Sequence, residues 1–353
     1  MAKYVLKAYK TALNRMKTID SWFWARYTLN PYAGCEHACI YCDARSKRYY
    51  LHDDFERTII VKEDIENVLE NQIEKSRTLI PDVVAMGGVC DSYAPVELMY
   101  HNTRKILRVL EKHKFPVCLS TKSTNVKKDL EILDRIGEQT WCGAAFTITT
   151  LNTENADFLE PNAAKPMERF NMIEYISRKF PNIYIGINYM PIVPYIEDSG
   201  DQIREMIKMA KEKNTKFILF APSMTLRDLQ KDFFIKKVRE KDSALADKIL
   251  ALFNDEKRLG DYILKKNKEI LDLCEKHSIP TRMKRWIPTD YREKNYQIAE
   301  FLLNKAYYKQ INGQYHWHLM KAGWSIQNLK ESILKIKDRG ELMNIPNIST
   351  KIA

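Results

Sequence analysis

The sequence predicts an α/β protein, a partial (β/α)6 parallel barrel followed by a mainly helical C-terminal extension. Six short apolar runs alternate with amphipathic segments between about residues 25 and 225, which is typical of a parallel sheet built from βα units. From about Thr225 the runs give way to charged helical segments. We therefore predict three regions: an N-terminal docking segment (1–24), the partial barrel (25–225) and the helical extension (226–353).

The barrel elements follow from the spacing of apolar residues. Residues 82–86 (DVVAM) form a short apolar run closed by Gly87-Gly88, which is typical of a buried strand. The segment 63–76 places Ile65, Leu69 and Ile73 on one helical face. The same reasoning predicts strands at 25–29, 82–86, 116–120, 141–149, 183–189 and 216–221. It predicts helices at 63–76, 98–113, 126–136, 166–179 and 201–213.

The two ends of the chain have different patterns. The basic and aromatic segment 1–24 is expected to hold a short helix. The extension is expected to contain helices at 226–238, 243–254 and 262–277, one more strand at 279–286, and a polar helical remainder from 291.

Several segments of chemical interest follow the predicted strands. They are the cysteine loop after the first strand, Gly87-Gly88, 120–123 and 147–150. In a parallel sheet with right-handed crossovers the carboxyl ends of the strands meet at one edge, and ligands bind there. We therefore expect these segments to converge on one site.

Composition and charge narrow the class of protein. The chain has 353 residues, of which 45% are hydrophobic and 29% charged, as in ordinary globular proteins. Its net charge of +11 suits a polyanionic partner such as nucleic acid. A lysine-rich or heat-adapted surface explains the same charge, so charge alone favours nucleic acid only slightly.

The expected environment is the cytoplasm. The first residues are basic and lack the apolar stretch of a signal peptide, and no run of about 18 apolar residues appears, so we expect no membrane partner. Seven cysteines without a disulfide-like framework indicate a reducing compartment. We also expect a monomer.

The motif with the clearest chemistry is NPYAGCEHACIYC, which spaces Cys35, Cys39 and Cys42 as C-x3-C-x2-C. A [4Fe–4S] cluster normally takes four cysteines, so three from one loop leave one iron open to an outside ligand. An open position is a property of reactive sites, because structural sites are closed.

Other interpretations of the cysteines stay open at this point. The trio could bind zinc with His37 or a distant histidine as the fourth ligand, or could be buried without any ligand. His316 and His318 could also ligate a metal, although a stretch of this kind more often packs against its neighbours. The aromatic and basic residues around them could stack on bases or simply pack on the barrel.

The cysteine spacing, with Tyr41 before the last cysteine, resembles the radical SAM superfamily, in which the open iron binds S-adenosylmethionine (SAM). Further motifs resemble its spore photoproduct lyase branch. They are GGVCDSYAPVE (87–97), TKS (121–123), FTIT (146–149), LEPNAAKPMERF (159–170) and NYMPIVP (188–194). Together these motifs span roughly residues 25–225 in the order found in that branch. The resemblance implies a partial barrel of radical SAM type with a [4Fe–4S] cluster and SAM as cofactors.

The resemblance also implies roles for individual residues. Cys35, Cys39 and Cys42 would ligate the cluster. The SAM contacts implied by the motifs come from Tyr41 and Met190 at the adenine, Gly87 and Gly88 at the methionine amino group, Ser92 and Lys122 at the carboxylate, Thr147 at the ribose or carboxylate, and Arg169. Arg169 and Glu160 could instead form a structural ion pair.

Cys90 is the implied catalytic residue. In photoproduct lyases a cysteine two residues before the SAM-binding serine returns a hydrogen atom to the product radical, and Cys90 has that relation to Ser92. A small buried cysteine at a strand end explains the same residue. The chain departs from the lyases at Asp43 and Asp91, and it has no match to their DNA-contacting part after about Lys216.

The resulting expectation is an enzyme, possibly a lyase, that cleaves SAM reductively to a 5′-deoxyadenosyl radical and abstracts hydrogen from a substrate. The implied partners are nucleic acid, in lesion repair or base modification, and an external one-electron reductant such as flavodoxin or ferredoxin. One alternative is a radical SAM enzyme acting on a peptide or small molecule. Another is a zinc-stabilised nucleic-acid-binding protein without catalysis.

Overall fold

The computed structural model describes residues 2–349 and contains two sheets. Its strands are β1 (Lys3–Lys7), β2 (Asn14–Arg15), β3 (Tyr27–Leu29), β4 (Tyr32–Ala33), β5 (Thr58–Lys62), β6 (Val84–Met86), β7 (Val117–Thr121), β8 (Cys142–Thr147), β9 (Ile183–Tyr189) and β10 (Ile218–Phe220). The larger sheet has the strand order β10-β9-β8-β7-β6-β3-β2, and the smaller one has the order β1-β5-β4.

The larger sheet confirms the predicted α/β class. Its six strands from β3 to β10 are parallel and lie side by side in chain order, as expected for successive right-handed βα units. The short strand β2 adds an antiparallel edge beside β3. Since the strand order begins at β10 and ends at β2, the sheet is open, which agrees with a partial barrel.

Helices cover the sheet and form the extension. In chain order they are α1 (Ile65–Lys75), α2 (Glu97–Tyr100), α3 (Asn102–Lys112), α4 (Leu130–Gln139), α5 (Thr153–Leu159), α6 (Pro166–Lys179), α7 (Gly200–Glu212), α8 (Asp228–Lys241), α9 (Ser243–Phe253), α10 (Glu256–Lys276), α11 (Glu293–Ile311), α12 (Trp317–Gln327) and α13 (Ile333–Asp338). Among residues 2–349, no helix is both long and apolar enough to cross a bilayer.

The sheet has two faces with different partners. Side chains alternate along each strand, so Val117 and Leu119 of β7 pack in the main core with the helices, whereas Cys118 points to the inner face. There it packs with Ala145, Leu219 and Met283, the last from the segment after α10. The next inward positions toward the carboxyl ends of the strands are polar, and they include Ser120 and Thr147.

Three local predictions were wrong. Segment 1–24 contains β1 and β2 and no helix, because β1 pairs in parallel with β5 and this distant pairing overrides local preference. Segment 279–286 is not a strand, although the carbonyl of Pro280 accepts the N–H of Ile218. The helix predicted at 98–113 is divided into α2 and α3 at His101, whose φ is 55°.

The N-terminal segment packs on the extension. Trp24 is 1% exposed and lies in a hydrophobic cluster with Ala299, Leu303 and Ala322 of α11 and α12. Its indole Nε1–H donates to the carbonyl of Met283 at 2.9 Å. The division into three regions at residues 24 and 225 stays a prediction.

A buried ion network joins the same parts of the chain. Asp82, fully buried before β6, accepts from Arg26 Nε at 2.5 Å, Arg292 Nη1 at 3.2 Å and the hydroxyl of Tyr296 at 2.5 Å. Arg26 precedes β3, whereas Arg292 and Tyr296 belong to the extension. One carboxylate therefore connects the barrel to the C-terminal helices.

Candidate active site

A cavity of about 90 Å³ lies at the carboxyl ends of the parallel strands. It brings together seven of the predicted site residues, namely Cys35, Cys39, Cys42, Gly87, Gly88, Lys122 and Thr147. Each comes from the cysteine loop or from the end of a strand, as the topology predicts.

The cysteine loop is held by backbone contacts and by glycine geometry. Gly34 has φ +108°, and a side chain there would press on the carbonyls of Phe55 and Thr58. The N–H of Cys35 donates to the carbonyl of Phe55 at 2.9 Å. Arg45 Nε donates to the carbonyl of Cys39 at 3.2 Å, which fixes the far side of the loop.

The thiols form a donor set suited to a metal cluster. Burial raises the pKa of the Cys35 and Cys42 thiols and brings the pKa of Cys39 to about 12, so ligation must release protons. Within residues 2–349, the one group of three or more potential ligands whose donor atoms all lie within 4.8 Å is Glu70, Glu74 and His113. At least one pair of the three cysteine sulfurs is thus more than 4.8 Å apart, which is wider than the about 3.8 Å that one tetrahedral zinc ion requires.

Asp91 organises one wall of the cavity. Its Oδ1 accepts from Thr121 Oγ1 at 2.8 Å, and its Oδ2 accepts from the Lys122 N–H at 2.7 Å. His37 Nε2 lies 3.1 Å from the same Oδ2. Burial alone would raise the pKa of Asp91, but His37 and the backbone N–H donors of Lys122 and Tyr93 hold it well below its usual range. Asp91 therefore stays ionised and connects the cysteine loop to β7.

Lys122 faces the cavity beside a buried ion pair. Its Nζ lies 5.6 Å from the centre of the Tyr41 ring, whose hydroxyl donates to Glu160. Burial lowers the pKa of Lys122, but its electrostatic interactions with Cys39 and Glu160 outweigh this and raise it overall. Lys122 therefore supplies a fixed positive charge next to the cysteines.

Arg169 is held entirely by the protein. Its Nη2 lies 2.5 Å from Glu160 Oε2, while Nη1 and Nε donate to the carbonyls of Thr147 at 2.6 Å and Ala164 at 2.7 Å. It does not line the cavity. This placement matches the alternative of a structural ion pair.

Four other predicted residues also lie outside the cavity lining. Tyr41 is buried among apolar residues of α8 and α9, and Met190 packs at the inner face of the sheet. The Cys90 thiol accepts from the Gly34 N–H at 3.2 Å. Ser92 is fully buried, and its Oγ has no hydrogen-bond partner among the described residues.

Sequence reasoning did not assign several residues that line the cavity. They are Phe55, Val89, Asp91, Ser120, Thr121, Ala38 and His37, the last considered only as a zinc ligand. Asn188 donates to Ser120 Oγ at 3.0 Å and leaves its own Oδ1 without a partner among residues 2–349. A signal was present for Asp91 and Ser120, because both lie inside or beside the motifs that located Ser92 and Lys122.

The paired glycines lead to a prediction on their different roles. A Cβ at Gly87, where φ is +85°, would overlap the Ser120 carbonyl, whereas a Cβ at Gly88 meets nothing within 4 Å. We expect Gly87→Ala to lower the free energy of unfolding by more than about 2 kcal/mol. Gly88→Ala should fold normally and bind SAM less tightly, since the new methyl group occupies the space for the ligand. Urea unfolding and equilibrium dialysis with SAM measure both, and equal stability of the two variants would contradict the prediction.

An open parallel sheet that gathers three cysteines, paired glycines and a lysine at its carboxyl edge defines an enzyme that depends on a bound metallocofactor. The family model described as the radical SAM superfamily matches residues 29–210, more than half of the chain. The chain belongs to the radical SAM superfamily. Its membership confirms the predicted superfamily and both cofactors, a [4Fe–4S] cluster and SAM.

The curated relatives are themselves uncharacterised. A protein of Mycobacterium tuberculosis is 27% identical over 202 residues, covering 56% of this chain and 58% of the relative. A protein of Methanocaldococcus jannaschii is 26% identical over 175 residues, covering 49% of this chain and 63% of the relative. The chain thus spans only about three fifths of the length of these relatives.

Solved structures agree on the fold. Spore photoproduct lyase complexed with a dinucleoside spore photoproduct superposes with a TM-score of 0.50 at 15% identity, over 66% of each chain. A mutant of the same lyase gives a TM-score of 0.51 at 16% identity, again over 66% of each chain. At this level of identity the likeness is one of fold.

The cavity fits the family's cofactors. Its donors are three thiols, which suit an iron–sulfur cluster, and the open space at Gly88 lets a ligand approach the backbone. Lys122 offers a positive charge for a carboxylate, and Thr147 offers a hydroxyl. Among the residues that the structure describes, Lys122 and His37 are the only basic ones that line this cavity.

Proposed function

We propose that this protein binds its cluster through Cys35, Cys39 and Cys42, binds SAM on the wall formed by Gly87, Gly88, Lys122 and Thr147, and modifies or repairs nucleic acid. The observation that carries the proposal is that the cysteine trio and this wall line one cavity. The bound cofactors supply reductive cleavage of SAM and a carbon radical that takes hydrogen from a substrate C–H bond. The electron comes from an external donor such as flavodoxin or ferredoxin.

The chain's own residues orient the ligand. The charge of Lys122 is complementary to a methionine carboxylate, and the bond from its N–H to Asp91 fixes the turn that carries it. The paired glycines let the methionine amino group approach the backbone. Tyr41 and Met190 at the adenine, and Ser92 and Arg169 near the methionine, remain predictions of the family motifs.

A basic, aromatic hollow beside the cysteine loop supports a nucleic-acid substrate. It has a volume of about 490 Å³, and Lys47, Tyr50 and His52 contribute to its lining together with Asp53. Arg45 also lines it, but its guanidinium pairs with Glu56 at 2.5 Å. Tyr50 is 94% exposed, so its ring is free to stack on a base. With a net charge of +11, the chain can neutralise phosphates over a wide surface.

The test is a search for the source of the abstracted hydrogen. The reconstituted protein is incubated without oxygen with SAM, a reductant and deuterated pools of irradiated DNA, tRNA or small-molecule extract. Deuterium in 5′-deoxyadenosine from a nucleic-acid pool is the expected result, and Cys35→Ala with the same pools gives the background. Label drawn only from the small-molecule pool would contradict a nucleic-acid substrate.

We propose that Cys90 returns a hydrogen atom to the product, as in a lyase. Cys90 is 2% exposed, and its thiol accepts a hydrogen bond from the N–H of Gly34, the residue before Cys35. Cys90→Ala is expected to leave SAM cleavage intact and to change the ratio of products, measured by mass spectrometry with the labelled pool. Cys118→Ala is the matched control, since Cys118 is equally buried on the inner face. Unchanged products would reduce Cys90 to a packing role.

A further inference from the structure

A second cavity of about 220 Å³ lies beside the candidate active site and shares none of its lining residues. It is enclosed by the loop after β8, by the end of β9, by the segment around Glu197 and by α7. Neither the family roles nor the proposed function uses it.

Two buried oxygen atoms in this cavity have no hydrogen-bond partner among the described residues. They are Glu197 Oε1 and Thr149 Oγ1, and both side chains are 1% exposed and line the cavity. A buried carboxyl oxygen without a partner is costly unless a ligand compensates it. Burial raises the pKa of Glu197 to about 8, although hydrogen bonds from the side chains of Thr150 and Asn155 act in the opposite direction, so a cation that binds here must displace the proton of this carboxyl group.

Glu197 is held firmly by its backbone. Its N–H donates to the carbonyl of Val193 at 3.1 Å, and its carbonyl accepts from the hydroxyl of Tyr189 at 3.4 Å. Two contacts therefore fix the backbone that carries the Glu197 side chain, and neither of them uses a carboxyl oxygen. A ligand group held in this way before the ion arrives is preformed.

The side chains around this cavity favour a cation over an anion. Among residues 2–349 no Lys, Arg or His lines it, and Glu205 of α7 adds a second carboxyl group at its exposed side. Two cations close to this segment are engaged elsewhere. Arg204, beside Glu205, pairs with Asp201 at 2.6 Å, and Lys266, which donates to the carbonyl of Asp198, pairs with Glu269 at 3.0 Å. The side-chain amide of Gln202 donates to the carbonyl of Ile196 and accepts from the N–H of Ser199.

We propose that this cavity binds a small cation through oxygen ligands, with Glu197 as the charged ligand and Thr149 as a neutral one. Carboxylate and hydroxyl oxygens suit a hard metal ion or a primary ammonium group. A water molecule takes roughly 30 Å³, so the cavity accommodates an ion together with several of its waters. The inference rests on this cavity alone and does not depend on the proposed function.

The experiment is a calorimetric titration of the reconstituted full chain with MgCl2, CaCl2, KCl or methylammonium chloride at fixed ionic strength. We expect at least one probe to bind one site per chain, and Glu197→Gln to weaken it by about tenfold or more through loss of the charge. Glu70→Gln is the matched control, because it alters the other carboxylate group capable of holding an ion. It should leave the titration of the Glu197 site unchanged.

The outcomes separate the alternatives. Binding of a metal salt assigns a hydrated metal ion, and binding of methylammonium alone assigns an amine. The thermal midpoint of the Glu197→Gln variant, measured without added cation, shows whether this variant folds. If it does not fold, the titration is repeated with Thr149→Val in its place. The proposal is overturned if no probe binds the wild-type chain, or if the loss appears in Glu70→Gln and not in Glu197→Gln.

Discussion

Cys35→Ala is expected to abolish iron loading and SAM cleavage together. With only two loop thiolates remaining, the cluster lacks one of its ligands. Cys90 is an additional thiol nearby, but it is directed to the N–H of Gly34 and does not replace Cys35. The thiols that remain are buried groups with raised pKa values, so without the cluster they hold protons. Iron content, the visible absorption of the anaerobic protein and 5′-deoxyadenosine production measure the loss.

The matched control for Cys35 is Cys142→Ala. Cys142 is also a buried cysteine, but it lies in β8 and packs in the core with the helices. This variant should keep its iron and cleave SAM at the wild-type rate, with a stability loss of about 1 kcal/mol. Iron and 5′-deoxyadenosine retained by Cys35→Ala would show that the cluster is ligated elsewhere.

Asp82→Ala is expected to be the most destabilising substitution outside the cavity. The change leaves Arg26 as a buried charge without a carboxylate and removes the acceptor of the Tyr296 hydroxyl. It also removes one of the two carboxylates that bind Arg292, which keeps Asp290 at 2.6 Å. Removing one member of a buried ion pair typically costs about 3–5 kcal/mol. The free energy of unfolding, measured by urea titration, should fall by that amount.

Asp201→Ala supplies the comparison for Asp82. Asp201 pairs with Arg204 at 2.6 Å, but both side chains are mostly exposed to water. Exposed pairs of this kind contribute little, so its unfolding curve should overlay that of the wild type. If Asp82→Ala unfolds at the same urea concentration as Asp201→Ala, the network does not stabilise the fold.

The parallel sheet was predictable because its signals are local. The segments 166–179 and 183–189 have the predicted bounds, because the pattern of apolar residues that indicates an amphipathic helix or a buried strand lies within one run of residues. The small sheet was missed because β1 pairs with β5 more than fifty positions later. No local pattern in Lys3–Lys7 specifies that partner.

The residues that line the cavity were predictable only where they belong to a recognisable motif. The cysteines, the glycines and Lys122 could be named from spacing and strand ends. Cys90 and Ser92 lie outside the lining, whereas Val89 and Asp91 face the cavity, because the chain bends and turns over residues 87–92 after the end of β6. A motif gives the order of residues along the chain, whereas the direction of each side chain depends on the backbone.

The packing of Trp24 and Met283 has a consequence for synthesis. Trp24 leaves the ribosome before its apolar partners in α11 and α12 and before its carbonyl acceptor, all of which follow more than 250 positions later. Until then the inner face around Cys118 and Leu219 lacks the side chain of Met283 that covers it. A nascent chain ending near residue 225 therefore exposes apolar surface, and chaperones have a reason to engage it before the protein is complete.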